Sequence, residues 1–400
     1  MLRIDQITVG NFRCFGPAVE LRLEPDCTVL SSENAGGKTA MLTALAMVLA
    51  RRLDPSPLRL RAPLDVRQVR TATGALQSAG TCSLQSSLTT DTGKQHALFF
   101  ASRSRRAAGG IDWMVPGKDW PIIAFYGTQR LGARARAGRP KPEPRRRADG
   151  YNDCLDPRAT EAHLLAWMFQ MALADTQRRQ RDEPVLGLFD TVCAAMARAT
   201  EGVTEVWYDL AGSETRVRFQ DGSESGWSQL SDGYHTFLSL IADIARRAVT
   251  LNDHLGAEAP FLTTGVVLID EIDLHLHPRW QRTVVAGLRR AFPKVQFVLT
   301  THSPQVLGSV ENRQVRRLVN YEVEQGGVFV QNRDSNAILA DAMGDDERSP
   351  EGNNLLRDLY AAIDTGNLEV GERKLAALRA IWGPTDPAIV RAEGMLDWRR

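Results

Sequence analysis

The chain has 400 residues, 43% of them hydrophobic, and its 49 Lys and Arg against 48 Asp and Glu leave a formal net charge of +1. Such a length and apolar content can bury one large α/β domain with an insertion or two modest domains, which excludes a disordered or fibrous chain, and the balanced charge gives no whole-molecule pull towards nucleic acid. The opening MLRIDQITVGNF carries charges where a signal peptide is apolar, no run of about 18 apolar residues occurs, and five scattered cysteines lack CxxC spacing, so the expectation is a reduced, cytoplasmic protein without a membrane span.

Residues 1–30 alternate apolar and polar positions with the period of half-buried strands, and the Ala, Leu, Met and Val run from Thr39 to Leu53 predicts a buried helix. Between them stands Ser32-Glu33-Asn34-Ala35-Gly36-Gly37-Lys38-Thr39, an approximate Walker A loop. In such a loop the backbone N–H groups and the following helix start face phosphate oxygens. Lys38 would neutralise the β and γ phosphates, and Thr39 would hold Mg²⁺ through its hydroxyl. Ser32 stands where the leading glycine is expected, at an anticipated cost of roughly 1–2 kcal/mol if that position needs positive φ.

Residues 65–103 predict short antiparallel strands, within a β-rich subdomain over about 57–105. The strand Ile122–Tyr126 then runs into Gly127-Thr128-Gln129-Arg130, placing an amide that could touch Mg²⁺ or its water beside a guanidinium that could reach phosphate. Residues 131–150 mix Pro, Gly and Arg without apolar periodicity and predict a flexible basic loop. Helices are expected over 158–181 and 184–199, strands over 203–228, and an amphipathic helix over Gly233–Thr250, the whole forming a helical subdomain of about 155–250. Ahead of that last helix, Leu230-Ser231-Asp232-Gly233-Tyr234 makes Ser231 an N-cap candidate, with Gly233 allowing close backbone approach; these same helix-start amides could meet a nucleotide held by another copy.

The apolar run Val266–Ile269 has the character of a central parallel strand and ends in Asp270-Glu271, a Walker B pair: Asp270 for the metal, Glu271 to orient and deprotonate water. A second such strand, Val295–Thr300, leads to Thr301-His302-Ser303, where His302 could sense the γ-phosphate. From residue 334 the chain changes to charged helices (Ser335–Met343, Pro350–Thr365, Leu368–Trp382, Pro387–Trp398), a helical tail of 334–400 following an ATPase domain of 1–333. No internal repeat or long heptad run is present.

Taken in order, the Walker A loop, the Gln-bearing strand end, LSDGY, LIDEIDLHLHP and TTHS resemble ABC-type ATPases of the RecF/SMC-like group. They resemble more closely its compact AAA-labelled branch, which includes Septu-type and retron-linked antiphage ATPases. The start Asn11-Phe12-Arg13-Cys14-Phe15 resembles that group's NFR.F opening, which puts Arg13 near the nucleotide. The resemblance implies an α/β fold: an ABC-type P-loop ATPase head with an antiparallel β-subdomain and a helical subdomain. It implies ATP and Mg²⁺ as cofactors, with nucleotide contacts from Asn34, Ala35, Gly36, Gly37, Lys38, Thr39, Arg13 and Gln129, and metal contacts from Thr39, Asp270 and Gln129. Glu271 and His302 would be catalytic, and Ser231 and Gly233 a signature acting on the other copy's nucleotide. Ala35 replaces a glycine of the pattern, and His277 stands where transporters and SMC proteins have an aspartate.

The function implied is an ATPase subunit that forms a homodimer around ATP, with higher oligomers open, and regulates an effector such as an HNH-type nuclease in antiphage defence. The stretch after His302 lacks a Glu plus DxD arrangement, so nuclease chemistry is expected of a partner. Two alternatives remain: a RecF-like repair ATPase gripping DNA through Arg134, Arg136, Arg139, Arg145, Arg146 and Arg147, and an ATP-locked scaffold without turnover. The tail, with Leu355, Leu356, Leu359 and Ile363 on one face, would either carry the signal to the effector or pack on its own domain.

Overall fold

The computed structural model describes residues 1–16, 18–50, 69–70, 76–77, 81–91, 93–102, 117–130, 146–157, 161–324, 327–343 and 348–399. The chain divides into two compact units, Met1–Ile338 and Leu339–Arg400.

The first unit opens with strands β1 (Leu2–Gly10), β2 (Val19–Arg22) and β3 (Cys27–Ser31), followed by helix α1 (Lys38–Ala50). Along β1 the apolar Leu2, Ile4, Ile7 and Val9 are buried, as their alternation predicted, whereas β3 is buried at every position. The difference decides where each strand goes. Half-buried β1 joins an antiparallel layer, and β3 enters the centre of a parallel sheet covered on both faces. Short β4 (Val69–Arg70) and β5 (Leu76–Gln77) pair with each other. Strands β6 (Thr81–Thr90) and β7 (Gly93–Ser102) complete the antiparallel layer in the order β2-β1-β6-β7. The rest of the β-subdomain expected over 57–105, and residues 131–145 of the basic loop, lie outside the described residues.

Strand β8 (Ile122–Tyr126) follows, then helices α2 (Glu161–Gln180) and α3 (Leu188–Ala199), and the meander β9 (Val203–Asp209), β10 (Glu214–Phe219) and β11 (Glu224–Gly226). Helix α4 (Asp232–Leu251) is next, with short α5 (Ala259–Leu262) leading to β12 (Gly265–Ile269). Helices α6 (Pro278–Gln281) and α7 (Val284–Ala291) connect to β13 (Val295–Thr300), and α8 (Pro304–Gly308) to β14 (Val315–Val319), β15 (Glu322–Val323) and α9 (Ser335–Ile338). The main sheet has the order β15-β14-β3-β13-β12-β8, parallel throughout except for β15. Every residue of β3, β8, β12 and β13 is buried, and the carboxyl ends of these four neighbours form one edge, where ligands bind in open α/β sheets.

The second unit holds α10 (Pro350–Asp364), α11 (Leu368–Trp382) and α12 (Pro387–Arg399), within a residue or so of expectation. Leu359 and Ile363 close a core with Leu375, Leu378, Ile389, Ala392 and Leu396, while Leu355 stays 39% exposed. Half of the expected apolar face is thus consumed inside the tail itself. The first compact unit runs through Ile338. Fully buried Ile338 and the hydrogen bond from Gln305 Nε2 to Ser335 Oγ (2.7 Å) tie α9 to the first unit. Among the described residues, no helix is long and apolar enough to cross a membrane. Cys27 and Cys154 are buried thiols, each pushed up to about 12 by burial.

Candidate functional site

The loop from Ser32 to Gly37 joins the carboxyl end of β3 to the start of α1. Lys38 is buried, and its Nζ donates to Ser32 O (2.9 Å), Ser32 Oγ (2.9 Å) and Glu33 O (3.4 Å), so the ammonium fills the mouth of the loop where anionic oxygens would replace these carbonyls. Ser32 does not adopt positive φ, and the anticipated strain is absent there: its hydroxyl donates to Glu33 O (2.8 Å) and steadies the turn. The left-handed positions are Ala35 (φ 60°) and Gly37 (φ 98°). A Cβ on Gly37 would lie 3.0 Å from both Cys14 Sγ and Phe15 Cζ. Phe12 and Phe15 of the NFRCF turn are fully buried and bridge to each other, so this opening segment buttresses the loop from behind. Arg13 Nη1 donates to Thr43 Oγ1 (3.2 Å), one turn beyond Thr39 on α1. Asn34, Ala35 and Gly36 line a cleft of about 150 Å³ with Glu33 and the Arg317–Tyr321 segment.

Across two strands, β12 delivers Asp270 and Glu271 to the same edge. Thr39 Oγ1 donates to Asp270 Oδ2 (2.8 Å), and Thr300 Oγ1 donates to Asp270 Oδ1 (2.6 Å). The carboxylate is almost wholly buried and both its oxygens are fixed. A hydroxyl and an oriented carboxylate are hard-oxygen donors of the kind Mg²⁺ accepts together with substrate phosphates, so the residues present fit that ion. Among the described residues, no group of three His, Cys, Asp or Glu forms a competing metal cluster. Glu271 has φ +48°, a left-handed conformation uncommon for a non-glycine residue; its N–H donates to Thr300 Oγ1 (2.7 Å). His302 follows the adjacent β13. Asp273 Oδ1 accepts from Thr301 Oγ1 (2.5 Å) and from His302 N (3.3 Å), which clamps the histidine loop to the acidic one.

Gln129 is exposed just beyond β8, the strand neighbouring β12. Arg130 turns inward instead of reaching out for phosphate. It is 3% exposed, and its guanidinium donates to the carbonyls of Gly127 (3.2 Å), Asp270 and Glu271 (2.8 Å); burial lowers its pKa to about 10. Arg147, counted above as a basic contact for DNA, is also used internally: it stacks over the Trp120 ring and donates to Leu251 O (2.7 Å) and Lys118 O (2.8 Å). Arg134, Arg136, Arg139 and Arg145 lie outside the described residues.

Ser231 occupies the N-cap position of α4, yet its side chain caps nothing and is exposed. Among the described residues it makes no hydrogen bond to the Walker A loop or the acidic strand end of its own chain. Gly233 is buried, and a Cβ there would come within 2.8 Å of His275 O and 3.2 Å of the Trp280 ring, so the glycine lets α4 start directly against the segment after Glu271. Tyr234 packs edge-on against Trp280 (centroids 3.8 Å apart). His277 caps α6, accepting from Arg279 N at 3.3 Å. Sequence reasoning missed Thr300, Asp273 and the inward role of Arg130. The polar ends of otherwise apolar strands and the second aspartate of DEID were the available signals.

A phosphate-type loop between β3 and a buried helix, with an acidic pair two strands away on the same sheet edge, is an arrangement that can hold a nucleotide's phosphates. Residues 163–308 match the family described as AAA domain, putative AbiEii toxin, Type IV TA system. The Retron Vc95 probable ATPase of Vibrio cholerae is 52% identical over 97 residues, 24% of this chain and 18% of that protein. The Retron Ec83 probable ATPase of Escherichia coli is 38% identical over 173 residues, 40% of this chain and 30% of that one. Septu protein PtuA of Bacillus mycoides is 38% identical over 118 residues, 30% of this chain and 14% of that protein. The matched stretches therefore span less than a third of any of these three relatives. The SMC head domain from Thermotoga maritima superposes with TM-score 0.48 and 12% identity, covering 82% of this chain and all of that one.

Proposed function

We propose that this chain, related to the ABC-type AAA ATPases of retrons and to Septu proteins, binds and hydrolyses ATP within an antiphage defence complex. The observation that carries the reading is the contact of Thr39 Oγ1 with Asp270 Oδ2 at 2.8 Å. It brings together a loop hydroxyl and a strand-end carboxylate 231 positions apart in the chain, beside a buried lysine whose burial makes sense for binding an anion.

In this mechanism Lys38 exchanges its loop carbonyls for β and γ phosphate oxygens, and the amides of Asn34 to Thr39 bind the rest of the triphosphate. Thr39 and Asp270, with Gln129 close by, would hold Mg²⁺, which when bound would supply neutralisation of phosphate charge. Glu271, projecting beyond the strand end, orients and deprotonates the attacking water, and His302 reads the γ-phosphate. Arg13, held beside α1 by its bond to Thr43, would lie near the nucleotide. The exposed hydroxyl of Ser231 fits a contact made on a second copy, while Gly233, packed against its own His275 and Trp280, sets where α4 begins, so that ATP joins two chains and hydrolysis lets them part. That cycle would switch an effector, a nuclease of HNH type or similar. The reading as a DNA-gripping repair ATPase loses Arg147 to internal contacts.

Glu271→Gln tests the assignment. ATP binding should be retained, phosphate release should fall by roughly 10²–10⁴-fold, and a dimer should accumulate with ATP in sedimentation. Unchanged phosphate release removes Glu271 as the base. A wild type that binds ATP and dimerises without releasing phosphate makes the chain an ATP-locked scaffold.

A further inference from the structure

The acidic strand end holds a conformation that its own sequence does not favour. Glu271 is left-handed at φ +48°, and the direction of its side chain follows from that backbone. On one side the peptide is fixed by the sheet and its neighbour: Asp270 N donates to Tyr126 O (2.8 Å) and Glu271 N to Thr300 Oγ1 (2.7 Å). On the other side, both carbonyls of the pair are held by one buried group. Arg130 Nη1 donates to Asp270 O and to Gly127 O (3.2 Å), and Nη2 donates to Glu271 O (2.8 Å). A buried guanidinium usually faces a carboxylate. Here its hydrogen-bond acceptors are backbone oxygens, and the carboxylates of Asp270, Asp273 and Glu271 act on it by charge without accepting its bonds. The planar fork suits this task, because two of its nitrogens address consecutive carbonyls at once.

We infer that Arg130 is a positioning residue for hydrolysis: it fastens the Gln129 turn to the backbone of Asp270 and Glu271 and thereby aims the Glu271 carboxylate. This rests on the proposed ATPase reading. Arg130 itself touches no reacting atom. Without it the carbonyls of Asp270 and Glu271 lose their buried donor and the left-handed residue is free to relax. A shift of about 1 Å in a positioned group costs on the order of 10²-fold in rate.

The test compares full-length wild type with Arg130→Ala and Arg130→Lys for ATP turnover, ATP affinity by calorimetry and thermal melting. For Arg130→Ala the expected result is kcat lowered roughly 10²-fold with ATP affinity within about threefold of wild type. Guanidinium chloride at non-denaturing concentration should restore turnover several-fold in that variant, and should restore none in Glu271→Gln. Arg130→Lys, whose ammonium cannot serve both carbonyls, should be slow and insensitive to guanidinium. Wild-type turnover in Arg130→Ala overturns the inference. A fall in ATP affinity that matches the fall in kcat also overturns it, because that result marks a direct phosphate contact. Loss of the melting transition in both variants without rescue makes Arg130 a purely structural residue and overturns it too. If the wild type itself releases no phosphate, the ATPase reading fails and takes this inference with it, whereas with normal wild-type turnover any failure concerns Arg130 alone.

Discussion

Ala35 shows how far the loop departs from an all-glycine pattern and what that departure costs. At φ 60° it holds a left-handed conformation that costs an L-residue with a Cβ roughly 1–2 kcal/mol, whereas the buried Ser32 sits unstrained and serves as a hydroxyl partner of Lys38. Ala35→Gly is therefore expected to raise stability by roughly 0.5–1 kcal/mol in denaturant melts, after the extra freedom of glycine in the unfolded chain is discounted. Destabilisation would place the cost of the loop elsewhere. Lys38, Thr39, Asp270 and Glu271 were legible in the sequence because each sits in a local pattern: a Gly-Gly-Lys-Thr turn before a helix, or an acidic pair closing an apolar run. Ser32 was misjudged because the pattern supplies residue types and leaves φ values unstated. Arg130 was misjudged because neighbouring letters do not say which way a side chain turns at a strand end.

At the level of elements, α4 and β8 are locked by a buried ionic cluster. Tyr126 Oη donates to Asp243 Oδ2 (2.7 Å), Arg247 Nε donates to the same oxygen (2.8 Å), and Arg246 reaches Oδ1 (2.6 Å). Arg247 goes on to the carbonyls of Gly150 (2.9 Å) and Asn152 (3.0 Å). Burial alone would raise the Asp243 pKa, but Arg246 and Arg247, with the Tyr126 hydroxyl, hold it well below the usual carboxylate range. The same burial, with Asp243 adjacent, pushes the Tyr126 hydroxyl up. Asp243→Asn leaves two buried guanidinium groups short of their counter-charge and should cost about 3–5 kcal/mol at neutral pH. Because the folded pKa is depressed, the ionic contribution is complete above the unfolded value near pH ~4 and drains as pH falls through the folded value. The stability gap between wild type and Asp243→Asn, measured by urea melts, should accordingly be flat at neutral pH and shrink only in strong acid. A gap that closes near pH ~6, well above the unfolded carboxylate value, would contradict this assignment. Helices such as α4 and α10 were legible, since each carries its apolar residues on one face. The cluster was not, because Asp243, Arg246 and Arg247 read as the polar face of an amphipathic helix until β8 and the segment at 150–152 cover them.

Across the whole molecule, one sheet edge collects chemistry from distant parts of the chain: β3 brings the loop, β8 the Gln129 turn, β12 the acidic pair and β13 the histidine. The meeting of the loop and the acidic pair at one edge could be anticipated because the motifs sit at the ends of strands with the burial of a central sheet. The strand order, with β13 seated between β3 and β12, could not, since parallel pairing is decided by packing between segments far apart in sequence. The tail was legible as helices but its role was not: Leu359 and Ile363 turn into its own core, and the unit Leu339–Arg400 is compact by itself. Lys38 and the carboxyl edge of the main sheet would together form a Mg²⁺-dependent triphosphate site. The measurement closest to that claim is calorimetric titration of ATP with Mg²⁺ into the wild type and into Lys38→Ala. Saturable binding at one site per chain in the wild type, lost in the variant while its melting transition persists, is the predicted result; no uptake by the wild type, or undiminished affinity in Lys38→Ala, would contradict it.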